Sequence, residues 1–318
     1  MKKAGQRPDN ITVTAPATIA NLGAGFDLLG LAMEAPCDTI TASRLSVQKL
    51  EFVSDPAFPE LPLDTRNVAF YVAKKVYDAI SPDTGAEIRL IKKIPPGSGM
   101  GGSAASAAAA AVAINTLFGS PFSREELLPF VVQGERLASG SPHADNAAPA
   151  LLGGLCLLSP GKQMEVLRLP VSERFYWTVV LPACECNTRE MRNLLPKMLS
   201  LATHTMQAGC LATLVSGLIT GQSEWVSRGL HDLIAEPVRA IHIPGFAQVR
   251  EAALDCGALG CSISGSGPAM FAVADTANTA GTIADAMQQA FREAGLASNA
   301  HISPVNTKGT LCTEQSLS

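Results

Sequence analysis

The stretch Ile94-Pro-Pro-Gly-Ser-Gly-Met-Gly-Gly-Ser-Ala-Ala-Ser106 has the make-up of a phosphate cradle. Gly97, Gly99, Gly101 and Gly102 put four glycines into six positions. Such a backbone turns tightly and comes close to a ligand. An alanine-rich helix starting near Ser103 would aim its free N–H groups and the positive end of its dipole into the loop. Ser103 adds a hydroxyl for a phosphate or a divalent cation. A Walker-type loop needs Gly-Lys-Ser/Thr at its end, and Gly-Gly-Ser here excludes that class. On spacing alone three readings stay open. One is a nucleotide cradle. Another is a dinucleotide site, since Gly97, Gly99 and Gly102 fit Gly-x-Gly-x-x-Gly, although a capped helix follows where that fold wants a strand ending in an acid. The third is a plain glycine turn before a helix.

The elements that must position this loop can be read on either side of it. Ile11–Thr14 alternates as a strand does, and Ala15-Pro16 should break it. Asn21–Asp27 reads as a second glycine-rich loop. Asp64 or Thr65 should cap a helix carrying Val68, Val72, Val76 and Ile80, which Ser81-Pro82 ends. Ile88, Leu90 and Ile94 predict a strand running into Pro95-Pro96. The alanine helix should end near Gly119, and Ser123 with Glu126 forms a capping box for a helix to about Ala138. Ser139–Pro142 reads as a loop, Leu151–Leu158 as a buried strand, Pro160-Gly161 as a turn. Beyond lie a strand over Trp177–Leu181, helices across 189–234 and Phe246–Cys256, strands at Cys261–Ser264 and Ala269–Ala274, and a helix over 277–294. Strands and helices interleave without a repeated βαβ period, so the fold class is α+β, with a domain boundary near Arg168 dividing 1–168 from 169–318.

Composition agrees with a folded two-domain chain. Of 318 residues, 47% are apolar and 16% charged, and the net charge is −4. No dense basic stripe is present, which argues against nucleic acid as a partner. Lys2, Lys3 and Arg7 are followed by no continuous apolar run, so no signal peptide is read, and the apolar stretch Ala104–Phe118 is too short to span a bilayer. The eight cysteines are scattered, with only Cys184 and Cys186 close, which suits reduced thiols in a cytoplasmic protein. No membrane partner is expected.

Three stretches together resemble the GHMP kinase family, which includes the galactokinases and mevalonate kinases. Ile94–Ser106 is similar to its central motif. Ala15-Pro16 with Asn21-Leu-Gly-Ala-Gly-Phe-Asp27 is similar to its N-terminal motif, and Ser262-Ile-Ser-Gly-Ser-Gly-Pro268 to its C-terminal one. One departure is visible: Gly102 stands where the family usually has the first of two serines. The resemblance implies a two-domain fold, with an N-terminal ribosomal-protein-S5-domain-2-like, ATP-binding domain and a ferredoxin-like C-terminal domain. It implies small-molecule substrates, ATP with Mg2+, and a homodimer.

Within the family, Asn21–Gly30, His143–Gly154, Glu236-Pro-Val-Arg239 and Thr188–Pro196 resemble the branch that phosphorylates L-homoserine in threonine biosynthesis. That resemblance places ATP on Asn67, Pro95, Pro96, Gly97, Ser98, Gly99, Met100, Gly101, Gly102, Ser103 and Ala104, with Mg2+ between Ser103 and Glu135. The substrate carboxylate would meet Arg192 and Arg239, whose planar guanidinium forks suit it. Its ammonium would meet Asp27 and Asn21. His143, Asn146, Ser266 and Gly267 would also approach substrate. Gln207 aligns loosely with a substrate-contacting histidine, and His204 stands nearby. At the reacting end, with Arg192, Asp145 is a candidate general base, while Asn146 could orient the hydroxyl without taking its proton. The resemblance favours Asn146, since a loose phosphoryl-transfer transition state needs little base assistance.

Overall fold

Proline does not end the first strand. In the computed structural model, which describes residues 8–316 apart from 54, 141, 160 and 162–164, β1 spans Asn10–Ala20. It pairs antiparallel with β2 (Leu29–Leu45) on both sides of Pro16, and the register shifts between Pro16 and Thr18. Proline has no N–H for the ladder, and the irregularity accommodates it. β3 (Leu50–Val53) lies parallel to the later strand β4 (Gly85–Ile91), which pairs with β2. β4 stops at Ile91, ahead of the expected Ile94.

Helix α1 (Val68–Ile80) is capped by neither Asp64 nor Thr65. Asn67 is the N-cap, and its side-chain oxygen accepts from the Ala69 N–H at 3.0 Å. Ser81, in the left-handed region, ends the helix as expected. Helix α2 (Gly102–Leu117) is the predicted alanine helix, and all but two of its side chains, those of Ser103 and Thr116, are buried. Alanine is a strong helix former with almost no bulk, so α2 lies close on β1 and β2 while α1 packs over it. Helix α3 (Arg124–Ser139) opens on the predicted capping box and packs on both α1 and α2.

The segment read as one buried strand over Leu151–Leu158 is divided. Its start belongs to helix α4 (Ala147–Leu152), and the strand is β5 (Leu155–Ser159). An apolar run alone does not separate a buried helix from a buried strand. Gly153 and Gly154 make the corner between them. β5 pairs with β2 and with β6 (Glu165–Leu169). The boundary expected near Arg168 falls within β6. Pro160 of the expected turn, Ser141 of the expected loop and the basic residues Lys2, Lys3 and Arg7 lie outside the described residues.

The second half runs β7 (Tyr176–Pro182), α5 (Thr188–Asn193), α6 (Leu201–Thr220), α7 (Ser223–Gly229), α8 (Glu236–Arg239) and α9 (Phe246–Asp255). It continues with β8 (Gly260–Ile263), β9 (Met270–Ala274), α10 (Ala277–Glu293), β10 (Ser298–Ser303) and β11 (Leu311–Ser316). β7 to β10 form an antiparallel sheet in the order β10-β7-β9-β8. That is the fourth-first-third-second order of a ferredoxin-like β-α-β-β-α-β unit, as expected. α9 and α10 bury Val249, Ile283, Met287 and Phe291 against it. β11 returns to pair with β1, so the larger sheet runs β11-β1-β2-β4-β3 with β5 and β6 attached at β2. No helix among the described residues is long and apolar enough to cross a membrane.

Candidate active site

The phosphate loop is held from both of its ends by one buried ion pair. Asp38, on β2, is fully buried, and its Oδ1 accepts the N–H groups of Lys93 and Ile94 at 2.9 and 3.0 Å, where the loop begins. Its Oδ2 accepts from Lys92 Nζ at 2.7 Å and from the Ser106 hydroxyl at 2.6 Å. Lys92 Nζ in turn donates to the Gly102 carbonyl at 3.0 Å, where the loop becomes α2. Each charge is thus paired and hydrogen-bonded, which makes its burial tolerable. The crown of the loop is fixed separately: Ser264 Oγ donates to Gly99 O at 2.7 Å, the Ala269 N–H to Ser98 O at 3.2 Å, and the Thr18 N–H to Met100 O at 3.1 Å. Gly101 is left-handed, and a Cβ there would lie 1.9 Å from Thr18 Oγ1 and 2.7 Å from Asn146 Oδ1. At Gly102 a Cβ would meet Ile94 O at 3.0 Å and Lys92 Nζ at 3.3 Å. A side chain at this position would therefore be tight, first against Ile94 and then against the lysine.

The loop opens on a cleft of about 810 Å³ lined by residues of both halves of the chain. Part of its lining comes from Leu61, Pro62, Asn67, Val68 and Leu90, with Glu60 and Arg66 beside them. At its charged end lie Asn21, Asp27, His143, Asp145, Asn146, Arg192, Arg239 and Ser266. Between them are Pro96, Gly97, Ser98, Gly99, Gly101, Gly102, Ser103 and Glu135. Five of the residues expected at the site do not line this cleft. Pro95 is half-buried and off the lining, and Met100 and Ala104 are core side chains. Gly267 packs on Ile243. Gln207 is a brace: its Nε2 donates to Ala24 O at 3.1 Å and to Asp232 Oδ1 at 3.3 Å, and its Oε1 accepts the Leu233 N–H at 2.8 Å. His204 is exposed on α6 and also lies off the cleft.

The loop after β1 carries the charged end of the site. Asn21, Leu22 and Asp27 all have positive φ, a conformation side chains rarely adopt and one that collects at ligand sites. Asn21 compensates by accepting the Asp27 N–H on its side-chain oxygen at 3.0 Å and by donating to Gly265 O at 3.0 Å. Arg192 Nη2 lies 2.7 Å from both oxygens of Asp27. His143 Nδ1 is 3.6 Å from Asp27 Oδ2, and burial holds its imidazole below the usual pKa against the pull of Asp27. Arg239, buried on α8, donates to Gly265 O at 2.8 Å.

Two buried carboxylates line the cleft, Glu135 in its middle and Asp145 at the charged end. Burial raises Glu135 to about 7, opposed by a hydrogen bond from the Ser103 side chain, with the Asp145 charge adding to the rise. Burial likewise raises Asp145 to about 7, with the charge of Asp27 adding to it, opposed by the hydrogen bond from the Asn146 N–H at 3.1 Å. Both pKa values stand above those of the unfolded chain, so the native protein holds protons that the unfolded chain has released. That stabilisation is complete below about pH 4 and is lost as pH rises through about 7. These two groups are therefore expected to withdraw stability between about pH 5 and about pH 8, against the opposite contribution of His143 and His301, whose pKa burial lowers. Glu135→Gln is expected to make the dependence of the ligand-free protein less downward over that range. Unfolding temperatures across that range check it; an equal slope in the variant would contradict it.

Asn146 is fixed by a residue with no sequence signal. The Thr18 hydroxyl, on β1, donates to Asn146 Oδ1 at 2.6 Å. This leaves the Asn146 amide hydrogens for a group in the cleft. Ser103 and Glu135 together offer a hydroxyl and a carboxylate, hard oxygen donors of the kind Mg2+ takes alongside phosphate oxygens and water.

The GHMP kinases N-terminal domain family matches residues 67–154, and the GHMP kinases C-terminal family matches residues 214–293. The homoserine kinase of Chlorobium phaeobacteroides (strain BS1) is 42% identical over 315 residues, covering 94% of this chain and 98% of that relative. The homoserine kinase of Methanocella arvoryzae is 38% identical over 295 residues, covering 92% and 94%. The crystal structure of homoserine kinase from Cytophaga hutchinsonii superposes with a TM-score of 0.92 at 40% identity, covering 96% of this chain and 97% of that one. A mevalonate kinase of L. major, solved with R-mevalonate, shares the fold at a TM-score of 0.74 and 15% identity, covering 97% and 99%.

Proposed function

The chain belongs to the GHMP kinase family, and from that premise we propose that its cleft transfers the γ-phosphoryl group of ATP to the side-chain hydroxyl of L-homoserine, giving O-phospho-L-homoserine and ADP. The observation that carries this reading is the opposed pair Asp27 and Arg192, 2.7 Å apart, at the substrate end of a cleft whose middle is a phosphate loop. A zwitterion presents one charge to each partner: its ammonium to Asp27 and Asn21, its carboxylate to Arg192 and Arg239. Mevalonate carries no ammonium and has no use for Asp27.

The hydroxyl then lies at Asn146, whose carboxamide is oriented by Thr18. Holding nucleophile and phosphorus in line supplies most of what a loose transition state needs. The new O–P bond forms as the bond to the β-phosphate oxygen breaks, and ADP carries away that electron pair. The hydroxyl proton is released late, to a phosphoryl oxygen, while Asp145 stays behind Asn146. The N–H groups opening α2 hold the phosphates. Ser103 and Glu135 would hold Mg2+, which when bound neutralises charge on the β- and γ-oxygens. Adenine occupies the part of the cleft beside Asn67, whose oxygen is used by the Ala69 N–H and whose amide hydrogens remain for the base. In this reading the chain has an ATP-binding unit over 1–168 and a second unit over 169–318, works in the cytoplasm on the route to threonine, and forms a homodimer.

ADP release with Mg-ATP and, in turn, homoserine, mevalonate, galactose and serine tests the substrate. Stimulation by homoserine is expected; stimulation by mevalonate alone would overturn the assignment. Arg239→Ala is expected to raise KM for homoserine about tenfold to a hundredfold with a smaller change in kcat, as loss of a charge-assisted contact does. An unchanged KM would count against the carboxylate contact.

A further inference from the structure

Two arginines of the cleft share one aromatic ring. The Phe26 ring centroid lies 5.5 Å from Arg192 Cζ and 5.3 Å from Arg239 Cζ. The loop that carries the ring is tied down by its own backbone hydrogen bonds. The Gly25 N–H donates to Asn21 O at 2.9 Å, the Leu29 N–H to Gly25 O at 2.9 Å, and the Asn21 N–H to Leu29 O at 2.8 Å. The Asn21 side chain and Arg239 Nη1 both donate to the Gly265 carbonyl, at 3.0 and 2.8 Å. One carbonyl thus fixes the ring-bearing loop against the second arginine.

The two guanidinium groups also need a reason to share the cleft. Burial lowers the pKa of Arg239; the charges of Asp232 and Asp27 oppose that lowering, and the charge of Arg192 adds to it. A like-charged pair in a partly desolvated cleft spreads apart unless something attractive lies between or beside its members. Asp27, 2.7 Å from Arg192 and with its charge also felt by Arg239, supplies part of that attraction. The negative face of an aromatic ring within about 6 Å of each cation adds to it, most strongly where water is excluded.

We propose that Phe26 is a positioning and specificity-determining residue for the carboxylate end of the substrate: its ring fixes Arg192 and Arg239 relative to each other, so that they act on one carboxylate as a unit. This rests on the proposed homoserine reading and adds a selection rule to it. Loss of the ring penalises substrates that carry a carboxylate and spares ATP and alcohols that lack one.

The test compares Phe26→Leu and Phe26→Tyr with the unchanged protein on L-homoserine and on 2-amino-1,4-butanediol, its analogue with the carboxylate reduced to an alcohol. Phe26→Leu is expected to raise KM for homoserine about tenfold while leaving KM for ATP and for the diol within about twofold, and Phe26→Tyr is expected to stay near the parent. Placed on Arg239→Ala, Phe26→Leu is expected to add much less than it does alone, since it acts through that arginine. Equal losses on homoserine and the diol, full additivity with Arg239→Ala, or no loss at all would each overturn the inference. These outcomes leave the homoserine reading standing. That reading falls on a different result, the failure of the unchanged protein to phosphorylate homoserine.

Discussion

Asp38→Ala is expected to cost about 3–5 kcal/mol of folding stability, because it leaves Lys92 as a buried cation without its counter-charge. The side chains of Lys92 and Asp38 are only 5% and 0% exposed, so water cannot replace the lost partner. The same change frees the N–H groups of Lys93 and Ile94, which Asp38 accepts where the phosphate loop begins. Both the fold and the loop should suffer, and KM for ATP should rise in whatever protein remains folded. A companion variant separates charge from packing. Asp38→Leu combined with Lys92→Met removes both charges together, and it is expected to recover much of the stability lost by Asp38→Ala. It should not recover ATP binding, since the loop's N–H groups still lack an acceptor. Denaturant unfolding of both variants checks this. A loss below about 1 kcal/mol in Asp38→Ala would show that the pair does not brace the loop.

Asn146→Ala is expected to lower kcat about a hundredfold, with a smaller effect on KM for either substrate. The Thr18 hydroxyl holds Asn146 Oδ1 at 2.6 Å, and Gly101 leaves space for the pair, so the amide hydrogens point from a fixed place. Misplacing a nucleophile by about 1 Å costs about that much in rate. Asp145→Asn is expected to retain more activity than Asn146→Ala, because a loose transition state keeps the proton on the hydroxyl until late. Steady-state kinetics across pH distinguish the two roles. If Asp145→Asn alone abolishes turnover and removes a rise in rate near pH 7, where its carboxyl titrates, Asp145 is the base.

What could be read from the sequence was local. The capping box at Ser123 and Glu126, the alanine helix and the glycine loop each announce themselves within a few residues, and each stands in the structure as expected. The site residues that line the cleft were carried by motifs of the same short range. The misread elements were those where local signals conflict with packing. Pro16 signals a break, yet β1 continues through it because β2 pairs on either side. Asp64 and Thr65 look like caps, yet Asn67 occupies the cap position. Apolar Leu151 and Leu152 suit a strand as well as the end of α4.

The contacts that hold the site were not legible, because they join residues far apart in the chain. Thr18 reaches Asn146 across 128 positions, and Arg192 reaches Asp27 across 165. Asp38 and Lys92 are ordinary charged residues in sequence, and only the sheet brings them together under the loop. Gly102, where the family usually has a serine, sits in a tight place between Ile94 and Lys92 that the local sequence does not show. Phe26 stood inside a recognisable motif, but nothing local tells a ring shared by two cations from a ring in the core.

The central claim, that the cleft phosphorylates the side-chain hydroxyl of homoserine, is tested most directly by the product itself. Incubation with Mg-ATP and L-homoserine, followed by phosphorus NMR with proton coupling, should show one new phosphomonoester split by the two protons of the side-chain terminal carbon, formed in step with ADP. ADP formed with only inorganic phosphate, or a phosphorus signal without coupling to that carbon's protons, would contradict it.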